Sequence, residues 1–235
     1  MQRPCVTLHF AQSLDGRIAT RSGSARWISG PPATRFAHEL RAASGAVIVG
    51  SGTALIDDPL LTVRHVPGPH PLRVVLDGRA RVPASSKLLA DAIAPTLHVT
   101  WAGAAGGVAP APHVERWELP PGPSGAGVDL AALLARLADR GISAILVEGG
   151  SGVLTSFLRA GLCDRLIVTI APIVVGAGVD AVGDLATERI DQALGFTPER
   201  VLRLGDDLVL DLVPRARAGS SAAPAGDGRP QVARS

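Results

Sequence analysis

Short apolar runs recur along the chain, separated by stretches with helical spacing. Val6–Phe10, Ala46–Gly50, Leu72–Leu76, Thr96–Trp101, Ala144–Val147 and Leu166–Ala171 each read as a strand. The middle runs are nearly unbroken Val, Ile and Leu, the pattern of strands covered on both faces and hence of a parallel sheet. Val201–Leu204 and Leu208–Val213 flank Gly205-Asp206-Asp207, which predicts a closing antiparallel hairpin. Between the runs lie helical patterns. Pro31 and Pro32 suit a first turn, where a missing N–H costs nothing, and Ala33, Phe36, Ala37 and Leu40 follow at helical spacing. Asp129 is a suitable N-cap for Leu130, Leu133, Leu134 and Leu137, with Gly141 just past the end. Ser151 is placed to cap a third helix carrying Leu154, Phe157 and Leu158 and ended by Gly161. Strands alternating with helices predict an α/β domain.

Composition narrows this picture. With 235 residues and 46% hydrophobic content, the chain can bury one substantial core. The segment Ala102–Gly127, rich in Gly, Pro and Ala, is expected to form a surface excursion. After Pro214 bulky apolar residues almost vanish. The expected organisation is therefore one domain over 1–214 and a disordered tail over 215–235. No internal repeat is visible.

Charge and cysteine usage limit the partners. A net charge of +2 with 19% charged residues gives no reason to expect nucleic acid or an acidic membrane surface. No run approaches the roughly 20 apolar residues of a membrane helix. The apolar stretch after Arg3 soon reaches Asp15, unlike a signal peptide, so the expected location is the cytoplasm. Cys5 and Cys163 stand outside any CxxC pattern and read as small buried residues. The six histidines lack ligand spacing, so no metal is expected.

Four constellations could carry chemistry. Ser13-Leu14-Asp15-Gly16 follows the first strand and reads, alone, as a turn. Gly50-Ser51-Gly52-Thr53 follows the second and lets a ligand approach the backbone, without being a GxxxxGK[ST] loop. Glu148-Gly149-Gly150-Ser151-Gly152 opens a helix. It is either an anion site or simply a tight strand-to-helix turn, and it is not a Rossmann GxGxxG. Asp57-Asp58-Pro59 offers either acid–base carboxylates or a capped turn, the turn being favoured in isolation. Arg41 and Arg64 could each fork onto a phosphate or carboxylate, or simply be solvated. Trp27 is either core or a stacking surface for a flat ring.

Taken in order, these motifs resemble one family. Ser13-Leu14-Asp15-Gly16-Arg17-Ile18-Ala19, Gly23 to Trp27, Leu40-Arg41-Ala42, Val49-Gly50-Ser51-Gly52-Thr53 and Asp57 to Arg64 carry the first half. Leu146-Val147-Glu148-Gly149-Gly150, Phe157 to Leu162, Ile170-Ala171-Pro172 and Gly176-Ala177-Gly178 carry the second. The set is similar to the reductase domain of the bifunctional riboflavin-biosynthesis deaminase–reductase, over about Val6 to Val213. The resemblance implies a three-layer, dihydrofolate-reductase-like α/β fold with a mostly parallel central sheet and the C-terminal hairpin. It implies an NADPH-dependent oxidoreductase that reduces the ribosyl side chain of 5-amino-6-(5-phosphoribosylamino)uracil to the ribitylamino form, with hydride going to C1′.

The same resemblance implies roles for individual residues. Cofactor contacts fall on Ala11, Trp27, Thr53, Asp57, Gly150, Ser151, Gly152, Val153, Leu154, Thr155 and Ser156. Substrate contacts fall on Arg41, Leu61, Arg64 and Glu148, and the catalytic set is Glu148, Asp57 and His9. A homodimer is implied as well. Two positions depart from the family: His9 stands where Lys is common, and Ala25 where Ser or a similar residue is common. Both touch the substrate side, which keeps open a related reductase acting on a dihydropterin, dihydrofolate or specialised-metabolite heterocycle. A non-enzymatic nucleotide-binding protein is the third reading.

Overall fold

The nearly unbroken apolar runs become the inner strands of one sheet. A computed structural model describes residues 2–104, 111–123, 125 and 127–215. Its first half contains β1 (Cys5–Ser13), β2 (Arg17–Thr20), α1 (Pro31–Ala42), β3 (Ala46–Gly50), α2 (Ser51–Asp57), β4 (Leu72–Leu76), α3 (Lys87–Ala90) and β5 (Thr96–Trp101). Then come β6 (Val114–Leu119), α4 (Leu130–Asp139), β7 (Ala144–Gly149), α5 (Ser151–Arg159), β8 (Arg165–Ala171), β9 (Gly178–Asp180), β10 (Phe196–Leu204) and β11 (Asp207–Pro214). Among the described residues nine strands form the main sheet, in the order β10-β11-β8-β1-β7-β3-β4-β5-β6. β11 alone runs against its neighbours, which gives the mostly parallel sheet and C-terminal hairpin that the patterning predicts.

Alternate residues feed the two faces. Val6, Leu8, Phe10, Ile48, Val74, Ile145 and Val147 pack with Leu133, Leu134, Leu137 and Phe157 of α4 and α5. Val47, Val49, Val75, Leu146 and Ile167 pack with Phe36 and Leu40 of α1 on the other face. Fully burying one such side chain contributes about 1.5–3 kcal/mol, so the three layers rest on these two apolar interfaces.

The helix signals hold in part. Pro31 and Pro32 occupy the first turn of α1, and the Asp129 carboxylate accepts the Ala132 N–H at 3.0 Å. Ser151 is not the cap of α5: Gly150 is, and Ser151 is the first helical residue. The reason is backbone conformation, since the chain turns at Gly149 and Gly150 with φ of +127° and +73°, which glycine adopts cheaply. In α1 the buried stripe takes in His38 where Ala37 was expected.

The expected surface excursion contains a strand. β6 pairs in parallel with β5 as the sheet's edge, burying Val114, Trp117 and Leu119. Its polar interruptions hid it, because an edge strand needs only one apolar face. The predicted tail, apart from Arg215, lies outside the described residues. No helix among the described residues is long and apolar enough to cross a membrane.

Candidate active site

Two sites meet at the carboxyl end of β7. The register of β7 against β3 skips Glu148, since Ile48 pairs with Val147 and Val49 with Gly149. Glu148 is thus the extra residue of a β-bulge, a device that aims side chains at functional sites. Its carboxylate turns toward α1 and accepts both Nε and Nη2 of Arg41 at 2.6 Å. Only 14% of the Arg41 side chain and 9% of the Glu148 side chain are exposed. Burial alone would push the Glu148 pKa up, but the adjoining guanidinium outweighs it and holds the carboxyl below its usual range. Arg41 also donates to the Thr62 carbonyl at 3.2 Å.

Around this pair sit two imidazoles. His9 on β1 is buried, its Nε2 3.5 Å from Thr169 Oγ1 and its ring edge-on to Phe36. Burial pushes its pKa down to about 4, so near neutrality it is an uncharged donor or acceptor and not a substitute cation. His38 is also driven to about 4, by burial and then by the nearby Arg41 charge. Its Nδ1 accepts the Arg64 backbone N–H at 2.9 Å, which fixes the loop carrying Arg64. The Arg64 guanidinium donates to Thr62 Oγ1 at 2.7 Å and is otherwise exposed. It is thus an exposed cation of this cluster, whereas the Arg41 fork is closed on Glu148.

Beyond the bulge the chain enters the second site. A cleft of about 780 Å³ opens at the ends of β3, β4, β5 and β7, lined by Gly50, Ser51, Gly52, Thr53, Gly150, Gly152, Val153 and Ser156, with Arg79, Arg81 and Trp101 further along. That volume is typical of a small-molecule or cofactor site. The two glycine loops lock together. A Cβ at Gly50 would stand 2.5 Å from Val153 Cγ2, and one at Gly150 would stand 2.8 Å from Thr53 Oγ1. Additions at Gly52, Gly149 or Gly152 would meet nothing within 4 Å, so those backbones border open space.

The other sequence candidates lie apart from this lining. Trp27 is 79% exposed, and Ala11 and Asp57 are half-buried outside the described cleft wall. Asp57 ends α2. Its carbonyl accepts from Arg26 at 2.8 Å, and burial pushes its carboxyl pKa up, partly offset by Arg26. Leu61 is 2% exposed and Leu154 is fully buried, so what either can present to a ligand is backbone. Thr155 Oγ1 is engaged between the Ser151 carbonyl and the Gly183 N–H. Asp15 behaves as the turn reading expects. Ser13 Oγ and the N–H groups of Val175 and Gly176 hold its pKa down to about 2 and tie β1 to the 175–176 loop. Sequence reasoning missed Thr62, inside the Asp57 to Arg64 motif, and also His38, Thr169, Arg79, Arg81 and Trp101, which sit in no quoted motif.

The family model described as RibD C-terminal domain matches residues 4–210. The chain belongs to the RibD C-terminal domain family. Among curated relatives, the riboflavin biosynthesis protein RibD of Aquifex aeolicus is 39% identical over 211 residues, covering 89% of this chain and 57% of that protein. The 2,5-diamino-6-ribosylamino-4(3H)-pyrimidinone 5′-phosphate reductase of Methanothermobacter thermautotrophicus is 40% identical, covering 89% of this chain and 97% of the relative. Of solved structures, the Thermotoga maritima diaminohydroxyphosphoribosylaminopyrimidine deaminase/5-amino-6-(5-phosphoribosylamino)uracil reductase superposes with a TM-score of 0.74 at 29% identity, over 91% of this chain and 57% of that one. The chain thus spans little more than half the length of the Aquifex and Thermotoga proteins and nearly all of the Methanothermobacter reductase. Membership makes it an oxidoreductase of the RibD reductase type.

Proposed function

We propose that the chain reduces the ribosyl side chain of 5-amino-6-(5-phosphoribosylamino)uracil to the ribitylamino form, using NADPH, in riboflavin biosynthesis. One observation carries this reading. The end of β7 sets Glu148 in a buried polar cluster with Arg41 and His9 and, two residues later, sets Gly150 in the wall of a glycine-lined cleft. An enzyme that joins a polar heterocycle to a coenzyme needs such a junction.

When bound, NADPH supplies the hydride. The residues of this chain do the rest. Open space beside Gly52, Gly149 and Gly152 fits a coenzyme backbone, and the free N–H groups at the start of α5 suit its phosphates. Arg64 meets the substrate 5′-phosphate. Glu148, held ionised by Arg41, has lone pairs left to accept from the pyrimidine or the sugar. His9, neutral, offers a hydrogen bond beside Glu148. The ring first opens to an imine, the C1′–O bond breaking as the ring oxygen takes the nitrogen's proton; hydride then adds to C1′ of the opened sugar and a proton from solvent returns to the attached nitrogen. The chain works in the cytoplasm as a homodimer. Exposed Val201 and Leu208 on the β10–β11 hairpin support the pairing, and sedimentation as a monomer would refute it.

The test is loss of reduced-nicotinamide absorbance with purified substrates. Turnover of the phosphoribosylamino-uracil is expected. Turnover only of the 2,5-diamino-pyrimidinone would place the step before deamination. Turnover of dihydrofolate with neither pyrimidine accepted would return the related-reductase reading, which His9 and Ala25 motivate.

A further inference from the structure

The segment between α2 and β4, residues 58–71, forms neither helix nor strand, so its backbone polar groups need partners from elsewhere. One face of α1 supplies several. Residues three apart on a helix are neighbours on its surface, and Arg35, His38 and Arg41 each take one group of the segment. Arg35 Nη1 donates to the His65 carbonyl at 2.9 Å, His38 Nδ1 accepts the Arg64 N–H at 2.9 Å, and Arg41 Nη1 donates to the Thr62 carbonyl at 3.2 Å. The segment stays close to the same helix further along, where a Cβ at Gly68 would stand 2.7 Å from the Ala42 Cβ. Within the segment, His70 Nδ1 accepts the Val63 N–H at 3.1 Å.

The two imidazole contacts carry a condition that the others lack. A ring nitrogen accepts an N–H only while it is unprotonated, which fixes both rings as the neutral tautomer with the proton on Nε2. His38 is built for this. It is buried, and its ring meets that of His65 edge-on with centroids 4.5 Å apart. Burial, then the charges of Arg41 and Arg64 and the His65 ring, hold its pKa down to about 4 against the opposing pull of Glu148. Leu61, Thr62 and Val63 are buried, and the chain emerges at Arg64, where the charges of both Arg41 and Glu148 act on its guanidinium. One helix face therefore holds Glu148 through Arg41 and the Arg64 backbone through His38.

We propose that His38, seconded by His70, is a positioning residue that latches the Arg64 loop in place for the substrate phosphate. This rests on the reading of Arg64 above. The experiment compares the purified full chain with its His38→Leu, His38→Asn, Arg64→Ala and His38→Leu/Arg64→Ala variants, with thermal unfolding as the folding check. His38→Leu should speed hydrogen exchange at the Arg64 amide. It should also raise KM for the phosphoribosylamino-uracil roughly 3- to 10-fold, the worth of one hydrogen bond. Its kcat and NADPH affinity should stay within about twofold. His38→Asn offers an amide oxygen in place of Nδ1 and should recover most of that loss. In the Arg64→Ala background His38→Leu should add nothing, because a positioning residue acts only through the group it positions. KM for the dephosphorylated ribosylamino analogue should not respond to His38. If His38→Leu does not fold, His70→Leu, at an exposed position, makes the same test at the Val63 amide. Losses that add in full, no rescue by Asn, or an equal rise in KM for the dephosphorylated analogue would overturn the latch while leaving Arg64 on the phosphate. An Arg64→Ala variant with unchanged KM would overturn the phosphate reading and the latch with it.

Discussion

Replacing Glu148 with alanine would remove one half of a pair whose other half has little access to water. Arg41 reaches Glu148 through two 2.6 Å bonds, and its third contact is a carbonyl at 3.2 Å. Breaking a buried pair on one side costs about 3–5 kcal/mol, because the remaining charge stays desolvated. At about 2–4 °C per kcal/mol for a chain of this size, the unfolding midpoint should drop by roughly 6–20 °C. Glu148→Gln keeps the shape and one acceptor, so its stability loss should be smaller while turnover falls at least tenfold, the signature of a lost contact to the reacting substrate. NADPH affinity should stay within about twofold, since Glu148 faces the polar pocket and not the glycine cleft. There is also a pH signature. The folded-state pKa of Glu148 is depressed, so the stabilisation is present above the unfolded value of about 4.3 and is lost as pH falls through the lower folded value. The Gln variant should lack that acid limb. Calorimetric unfolding, steady-state rates and coenzyme titration read these quantities. An Ala variant costing under about 1 kcal/mol would show that the pair is not desolvated. A Gln variant that weakens NADPH as much as it slows turnover would move Glu148 out of the substrate pocket.

His9 gives a second acid signature. Its folded pKa is lowered to about 4 by burial, so below about pH 6.5 the unfolded chain takes up a proton that the folded chain refuses. His9 should contribute a fall of about 1.4 kcal/mol per pH unit down to about pH 4, with His38 adding a like share, so His9→Gln should roughly halve the slope in denaturant titrations. A slope unchanged in the variant would contradict His9 as its source. Gly50→Ala forces a methyl into Val153, 2.5 Å away, and should cost about 1–3 kcal/mol and weaken coenzyme binding. Adding Val153→Ala should restore binding, and failure of that rescue would deny the contact between the loops. Asp129→Ala removes a helix cap and should cost about 1 kcal/mol, a cost that would be absent in urea melts if the cap were idle.

The sequence was most legible where burial is two-sided. β3, β4 and β5 begin and end where their apolar runs do. Even so, Leu72–Leu76 holds a fully buried Arg73, whose two terminal nitrogens donate to Asp91 and the Ala94 carbonyl, partners about 20 residues away in sequence, while its Nε is left unpaired. α2 escaped detection because it buries only Ala54 and opens with Ser51, Gly52 and Thr53, which carry no apolar stripe and little helix propensity. β2 and β9 are short and pair only with each other, so no local pattern announces them. Within the candidate site, glycine loops and acidic positions stand out in a sequence because their residue types are unusual where they occur. That Arg41 is closed on Glu148, or that Arg81 reaches Ser51, depends on long-range contacts across 107 and 30 residues, which no spacing rule encodes.

The bulge at Glu148 has one more consequence. Because the buried carboxylate of Glu148 and the cleft-lining Gly150 belong to the same stretch of three residues, the proposed substrate and coenzyme would be spaced by covalent bonds. The bulge and the two-glycine turn fix that spacing within three residues. Alignment of donor and acceptor carbon therefore needs no swinging lobe or sliding helix. Inserting or deleting a single residue between positions 148 and 150 would uncouple the chemistry more completely than most changes of side chain.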